Sequence, residues 1–260
     1  MQSNSLVLAL LVLICSPAFA ESAEEKGLKI AQEVEFRDSG WKDATVTLKM
    51  ILQNKQGEES TRLLRLKFLE VDGDGDKSLT IFDSPRDVSG TAFLSFSHAL
   101  TPDDQWLYLP ALKRTKRIAS ANKSGPFMGS QFAYEDLSSF EVAKYKYKYI
   151  KDEEVDGTPC FVVENYPNYE HSGYTRQQVW VDKSRYIPIK IEFYDRKNDL
   201  LKTLAFKKYK QYLNKYWRAH EQLMINHQNG KSTLLVLDDF QFQTGLKDSD
   251  FQKANLKRLR

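Results

Sequence analysis

The sequence predicts a mainly β chain with a few helices, built as one large curved antiparallel sheet. Apolar and polar residues alternate along Ala44, Val46, Leu48, Met50 and Leu52, and again along Leu64, Leu66 and Phe68, which is the period of a half-buried strand. Turn residues such as Asp156-Gly157 and Asn229-Gly230 separate many of the apolar runs, and Asn-Gly suits a two-residue hairpin. No low-complexity tract or Pro/Ser/Gly-rich linker divides the 260 residues, so one domain is expected.

Residues 1–20 carry no charged side chain, run apolar from Leu6 to Cys15, and end in Ala18-Phe19-Ala20. That order reads as a secretory signal peptide cleaved after Ala20, too short in its apolar core to span a bilayer. The mature chain, 21–260, is then an exported, periplasmic protein. It retains Cys160 as its single cysteine, so a core and not a disulfide must hold it together. A formal net charge of +3 gives no global field for nucleic acid.

Ser22 and Glu25 form a capping-box pattern ahead of the apolar stripe Leu28, Ala31 and Val34, and Asp38-Ser39-Gly40 ends that helix. Strands are expected at 44–52, 64–71, 78–82, 105–109, 145–150, 160–165, 177–181, 187–194, 201–206, 217–225 and 232–242, with a turn at 55–60. A second helix is expected over 134–140. A third is expected from about Ser249, where Lys257, Arg258 and Arg260 suit the negative end of a helix dipole.

Reaction chemistry is thin. His220-Glu221 opens like a zinc-protease motif, but His227 follows at the wrong spacing. Asp72-Gly73-Asp74-Gly75-Asp76 imitates a calcium loop, yet Lys77 stands where glycine is needed and a strand precedes it; a solvated turn is the better reading. Gly230-Lys231-Ser232 sits in a hairpin turn, and Cys160 reads as a buried small hydrophobe. No catalytic residue, metal site or cofactor is expected.

Residues 103–136, DDQWLYLPALKRTKRIASANKSGPFMGSQFAYED, combine an aromatic strand, a basic run, a Gly-rich apolar loop and an acidic helix start. On one strand face lie Trp106, Tyr108 and Pro110, and on the other Leu107 and Leu109. This block resembles the outer-membrane lipoprotein-sorting proteins, periplasmic relatives of the LolA and LolB carriers. The recurrent signature is DDQWLYLPALKR, a following RI and FMGSQFAYED, and 173–196 (GYTRQQVWVDKSRYIPIKIEFYDR) fits the family as well. The resemblance implies an incomplete antiparallel half-barrel lidded by helices, around an apolar space for acyl chains. It also implies lipoprotein or lipid cargo and a resistance-nodulation-division (RND) type inner-membrane exporter as a partner.

Alternation with Thr45, Thr47, Lys49, Arg65 and Lys67 assigns Val46, Leu48, Met50, Leu64, Leu66 and Phe68 to the cavity face, and Trp106 and Tyr108 join that set. Phe127 and Met128, between Gly125 and Gly129, suit a movable lid or a core plug. Lys113, Arg114, Lys116 and Arg117 would carry charge on both faces of a continued strand, so the segment is expected to leave the sheet. There it would serve either as edge protection or as a rim for headgroups or an acidic partner. The expected function is a carrier that shuttles acylated cargo through transient membrane contact. The alternative is an accessory or adaptor subunit of a transporter that holds no lipid.

Overall fold

The computed structural model describes residues 21–259; the expected signal peptide and its cleavage site lie outside them. One helix, α1 (Ala23–Arg37), precedes thirteen strands. These are β1 (Asp43–Gln53), β2 (Glu59–Leu69), β3 (Lys77–Ser84), β4 (Ala92–Phe96), β5 (Asp104–Leu109), β6 (Arg114–Ile118) and β7 (Tyr145–Val155). They continue with β8 (Thr158–Pro167), β9 (Tyr174–Asp182), β10 (Pro188–Asp195), β11 (Leu200–Tyr212), β12 (Tyr216–Asn226) and β13 (Ser232–Phe242).

All thirteen belong to one antiparallel sheet in the order β6-β5-β4-β3-β2-β1-β13-β12-β11-β10-β9-β8-β7. The chain thus begins in the middle, walks outward to the β6 edge, crosses to the opposite edge at β7, and walks back until β13 pairs with β1. Hairpins make every step except the crossing, residues 119–144. The sheet curves without closing, and this strap spans its concave side.

The helix forms where the capping box lies: the Ser22 hydroxyl accepts from Glu25 N, and the Glu25 carboxylate accepts from Ser22 N, each at 3.0 Å. It ends at Asp38, and Gly40 turns the chain at φ 96°. Its apolar stripe, Ile30 and Ala31, packs on Tyr147, Val163, Val179 and Val181, covering the concave side of β7–β9. The helix expected over 134–140 is a single 3-10 turn, Tyr134–Leu137. That expected at the carboxyl end is two 3-10 turns, Asp248–Phe251 and Lys253–Arg258. These lay Phe251 and Leu256 on Leu79, Ile81 and Leu94, covering the convex face.

Two further expectations change. Residues 92–96 form the unanticipated β4. The basic run does not leave the sheet: a 3-10 turn at Pro110–Leu112 and a left-handed Lys113 (φ 47°) reverse the chain, and 114–118 return as the edge strand β6. The Asp72–Asp76 motif is a turn, as expected: it connects β2 to β3, and a Cβ on Gly75 would lie 2.6 Å from the Ser97 carbonyl carbon.

Gly27 sets the seating of α1, since a Cβ there would approach the backbone nitrogens of Tyr149 and Lys148 to 2.8 and 2.9 Å. Backbone cannot yield as a side-chain tip can. Gly27→Ala is expected to destabilise the protein by about 1–3 kcal/mol despite alanine's higher helix propensity, measured as a lower denaturant midpoint with near-native far-UV circular dichroism.

Candidate functional site

The concave face holds a cavity of about 1860 Å³, beyond the roughly 300–1,000 Å³ of ordinary small-molecule pockets. From the first half of the sheet, Leu48, Met50, Leu64, Leu66 and Phe68 line it; Val46 packs in the same cluster without reaching the lining. The second half adds Val179, Ile191, Phe206, Leu235 and Leu237, and α1 adds Ile30 and Val34. At one end the lining reaches hairpin turns at Gly73, Ser184 and Asn214, which mark the mouth. At the other end the strap fills the hollow.

Trp106 and Tyr108 do not belong to this face. In register Leu94 opposes Trp106 and Phe93 opposes Leu107; Leu107 and Leu109 point to the concave cluster while Trp106 and Tyr108 pack with Leu94 and Phe251 on the convex one. The convex face is apolar too, because the carboxyl-terminal arm covers it, so apolarity alone could not fix the phase.

Four lining aromatics, Tyr209, Trp217, Phe240 and Phe242, were missed by the sequence reading. Simple alternation from Leu235 and Leu237 would send Phe240 and Phe242 to the convex side. Asp239 instead adopts φ 52°, and the β1–β13 register shifts between Thr45 and Thr47. Lys208 adopts φ 56° in β11, where the β11–β12 pairing passes over Lys208 and His220 together without a change of register, and Tyr209 lines the cavity three residues after Phe206. The β13 bulge and the left-handed residue in β11 each move the alternation by one residue. The visible signal is the charged residues at 207–208 and 238–239, which interrupt apolar alternation.

The strap is a folded-back loop. Phe127 N donates to Phe132 O at 2.7 Å and Tyr134 N to Gly125 O at 3.1 Å, while Met128 and Gly129 make the tight tip at φ 49° and 79°. Phe127 is 1% exposed and its ring lies 5.1–5.9 Å from those of Phe93, Tyr134 and Phe82. It is therefore a core plug and not a loop tip. Met128 is half-buried beside it, its carbonyl accepting from Arg62 at 2.5 Å.

Polar contacts fasten the strap on both sides. Towards β5, Gln105 donates to Tyr134 O at 3.0 Å, and Asp103 accepts from Ser138 Oγ at 2.8 Å and Lys144 Nζ at 2.6 Å. Across the hollow, Asp136 accepts from Lys202 Nζ at 2.6 Å, Tyr174 Oη at 2.7 Å and Ala133 N at 2.6 Å. Both partners of the Asp136–Lys202 pair are 4% exposed. Glu135 accepts from Gly173 N and Ser172 Oγ, and burial together with the neighbouring Asp136 holds its carboxyl above the usual range.

At the mouth, Asp76 accepts from Val71 N at 3.2 Å, and its own N–H donates to Ser139, which donates to Glu141. Burial, with Glu141, Glu70 and Asp38 adding to it, pushes the Asp76 carboxyl up to about 7. Asp74 is held down at about 2, chiefly by its bond to His98. Among the described residues no group of three or more His, Cys, Asp or Glu is arranged to hold a metal ion. Cys160 is fully buried beside Val162 and Trp180, and burial pushes its thiol up. The rim residues Lys113, Arg114, Lys116 and Arg117 are exposed on and beside β6, away from the cavity lining.

Removing one side of a buried pair leaves the other charge uncompensated. Lys202→Met is expected to cost about 3–5 kcal/mol in denaturant unfolding, and Asp136→Asn added to it to recover much of that loss. A double variant no better than the single would show that the pair is not coupled. Asp76 gives a second expectation. It keeps its proton up to about pH 7 in the folded chain, but only below about 4 when unfolded. Between those values the folded state binds more protons, so stability falls as pH rises. The wild-type melting temperature should drop from pH 5 to 8, and Asp76→Asn should flatten that drop.

Comparison with known proteins agrees with this geometry. A family model described as an uncharacterized protein matches residues 74–258. No curated protein matches the chain. Among solved structures it is similar to a domain from Vibrio parahaemolyticus described as an outer membrane lipoprotein-sorting protein, at 65% identity and a TM-score of 0.89, covering 90% of this chain and 100% of that one. A DUF1329 family protein from Desulfovibrio piger shares 28% identity at a TM-score of 0.86, over 90% of this chain and 99% of its own. A LolA superfamily protein from Nitrosomonas europaea shares the fold, with 20% identity and a TM-score of 0.70 over 90% of this chain and 99% of that one. With two-thirds identity across the whole of the Vibrio domain, and a mostly β, unclosed sheet in common with the LolA structure, the chain belongs to the outer-membrane lipoprotein-sorting protein family, with a LolA-like half-barrel fold.

Proposed function

We propose that this protein is a carrier that holds the acyl chains of a lipoprotein or lipid in its concave cavity and moves them through the periplasm towards the outer membrane. The observation that carries this reading is the cavity: about 1860 Å³ on the concave face, walled by Leu66, Phe68, Phe206 and Phe240 and entered past the hairpin turns. A chain of about 15 carbons gains roughly 12 kcal/mol of gross burial when it leaves water, at about 0.8 kcal/mol per methylene. A shallow groove could not supply that, whereas an apolar space walled by sheet, helix and strap can.

Export to the periplasm is supported by the Vibrio relative's description as a lipoprotein-sorting domain and by the leader-like residues 1–20. What supports an RND-type exporter as the donor is the family resemblance. The reading needs no covalent step. Cys160, buried with its thiol pushed up, has the setting of a packed side chain, since a nucleophilic thiol is activated by the opposite shift.

The purified wild type should release lipid into an organic extract, detected by mass spectrometry, and should take up a fluorescent acyl probe. Leu66→Glu and Phe240→Glu, on opposite halves of the sheet, should each weaken uptake roughly tenfold or more, a loss of at least about 1.4 kcal/mol, with thermal melts confirming that the variants fold. A folded wild type with neither lipid nor probe uptake would overturn the carrier and favour the adaptor.

A further inference from the structure

The cavity and strap leave one charged surface without a role. β6 is a free edge of the sheet, carrying Arg114, Lys116 and Arg117, with Lys113 in the turn before it. On its own this is how an edge strand is kept from pairing with another chain. The fold, however, brings a second basic segment to the same place. The carboxyl-terminal arm, after leaving β13, seats Phe251 and Leu256 on the convex face and touches β4, β5 and β6 through its last turn. That turn exposes Lys253, Lys257 and Arg258. The Lys253 ammonium lies 5.6 Å from the Trp106 ring, and Trp106 stands opposite Arg117 in the β5–β6 register.

Seven exposed cations are thus gathered from two segments more than a hundred residues apart, in a chain whose formal net charge is only +3. Arg117 pairs with Asp104 at 2.5 Å; the other six make no ion pair among the described residues. Edge protection does not account for the arm, which is no strand and has no edge to guard. Leu112, exposed to 59% in the turn beside Lys113, adds an apolar side chain to the same border.

We infer that β6 and the carboxyl-terminal arm together form a docking surface for an anionic phospholipid bilayer. The chemistry favours a layer of headgroups over a small ion: Arg117 and the arm lie on the convex side of the edge and Arg114 and Lys116, opposite Leu109 and Leu107, on its concave side, so the cations wrap the sheet edge, all in solvent, and converge on no pocket. Basic side chains near an anionic leaflet act roughly additively and over a short range set by salt. Docking of this kind stands apart from what the cavity holds.

The test is co-sedimentation of the full-length mature protein with vesicles of phosphatidylglycerol and phosphatidylcholine, against phosphatidylcholine alone. The wild type should bind the anionic vesicles at low ionic strength, lose binding as salt is added, and ignore the neutral ones. Lys253→Gln with Lys257→Gln should weaken binding by about tenfold or more, and adding Lys113→Gln and Lys116→Gln should weaken it on the order of a hundredfold. Melting temperature and acyl-probe uptake should stay near wild type in both variants, so failure of docking and failure of the carrier reading are separately visible. An arm variant that binds like wild type would overturn the composite surface and leave β6 as edge protection. Equal binding to neutral vesicles, or none to anionic ones, would overturn the bilayer as the partner; in the second case an acidic protein surface would take its place.

Discussion

The Asp136–Lys202 pair is the contact on which the rest of the architecture depends. The chain order puts the two edges of the sheet at the ends of a single crossing, residues 119–144, which ties the β6 half to the β7 half through the concave interior, while α1 and the carboxyl-terminal arm bridge the halves from other sides. A segment laid through a concave interior must satisfy its backbone and bury its charges there. Asp136 does so with three donors from three places: Lys202 on β11, Tyr174 on β9 and its own Ala133 N–H. With the carboxylate anchored, Phe127 is held among Phe82, Phe93 and Tyr134, and one end of the hollow is filled. The later part of the strap runs on to the mouth, where Ser139 and Glu141 line the open end without filling it.

Why the hollow is not filled throughout has a local answer. The strands around it are long, 11 residues in β1, β2, β12 and β13 and 13 in β11, so the sheet outreaches what one folded-back loop can cover. The bulge at Asp239 and the left-handed Lys208 then change the phase of those strands, and Tyr209, Phe240 and Phe242 line the remaining space. A chain selected only for stability would collapse such a space or fill it, because unfilled apolar volume forfeits packing contacts. Aromatic rings arranged around an open volume match a ligand that supplies the missing contacts.

How much of this was legible in the sequence follows from where strands are regular. Along β1 and β2 polar and apolar residues alternate without interruption, and the phase read from Thr45, Thr47, Arg65 and Lys67 places Leu48, Met50, Leu64, Leu66 and Phe68 where the cavity lining has them. Phase was lost in two settings. In β4 and β5 both faces are apolar because the carboxyl-terminal arm covers the convex side, so Trp106 and Tyr108 carry no mark of their side, and the five residues of β4 no alternation at all. In β11 a left-handed residue and in β13 a bulge reverse the alternation midway. The strap could be recognised as unusual by its Gly-rich apolar tip, but its anchors could not. Lys202, Tyr174 and Thr233 lie 38 or more residues from their partners in the strap, and only the closed topology brings them there.

The same topology constrains how a carrier of this kind can let go of its cargo. Burial of about 12 kcal/mol for a chain of about 15 carbons makes release into water unfavourable by roughly a hundred-million-fold, at 1.4 kcal/mol for each factor of ten. Handover therefore needs an acceptor that offers comparable apolar contact before the first is given up, either another cavity or a bilayer. The strap cannot swing aside easily, because opening it would break the buried Asp136–Lys202 pair and withdraw Phe127 from the core together. The mouth, bordered by short hairpin turns and by the half-buried Asp76, is held by single hydrogen bonds from Asp76 N to Ser139 and from Val142 N to Glu35, and by no buried ion pair among the described residues. On the proposed function, an acyl chain entering and leaving there would move along the strands, parallel to the trough, and leave the Asp136–Lys202 end undisturbed throughout.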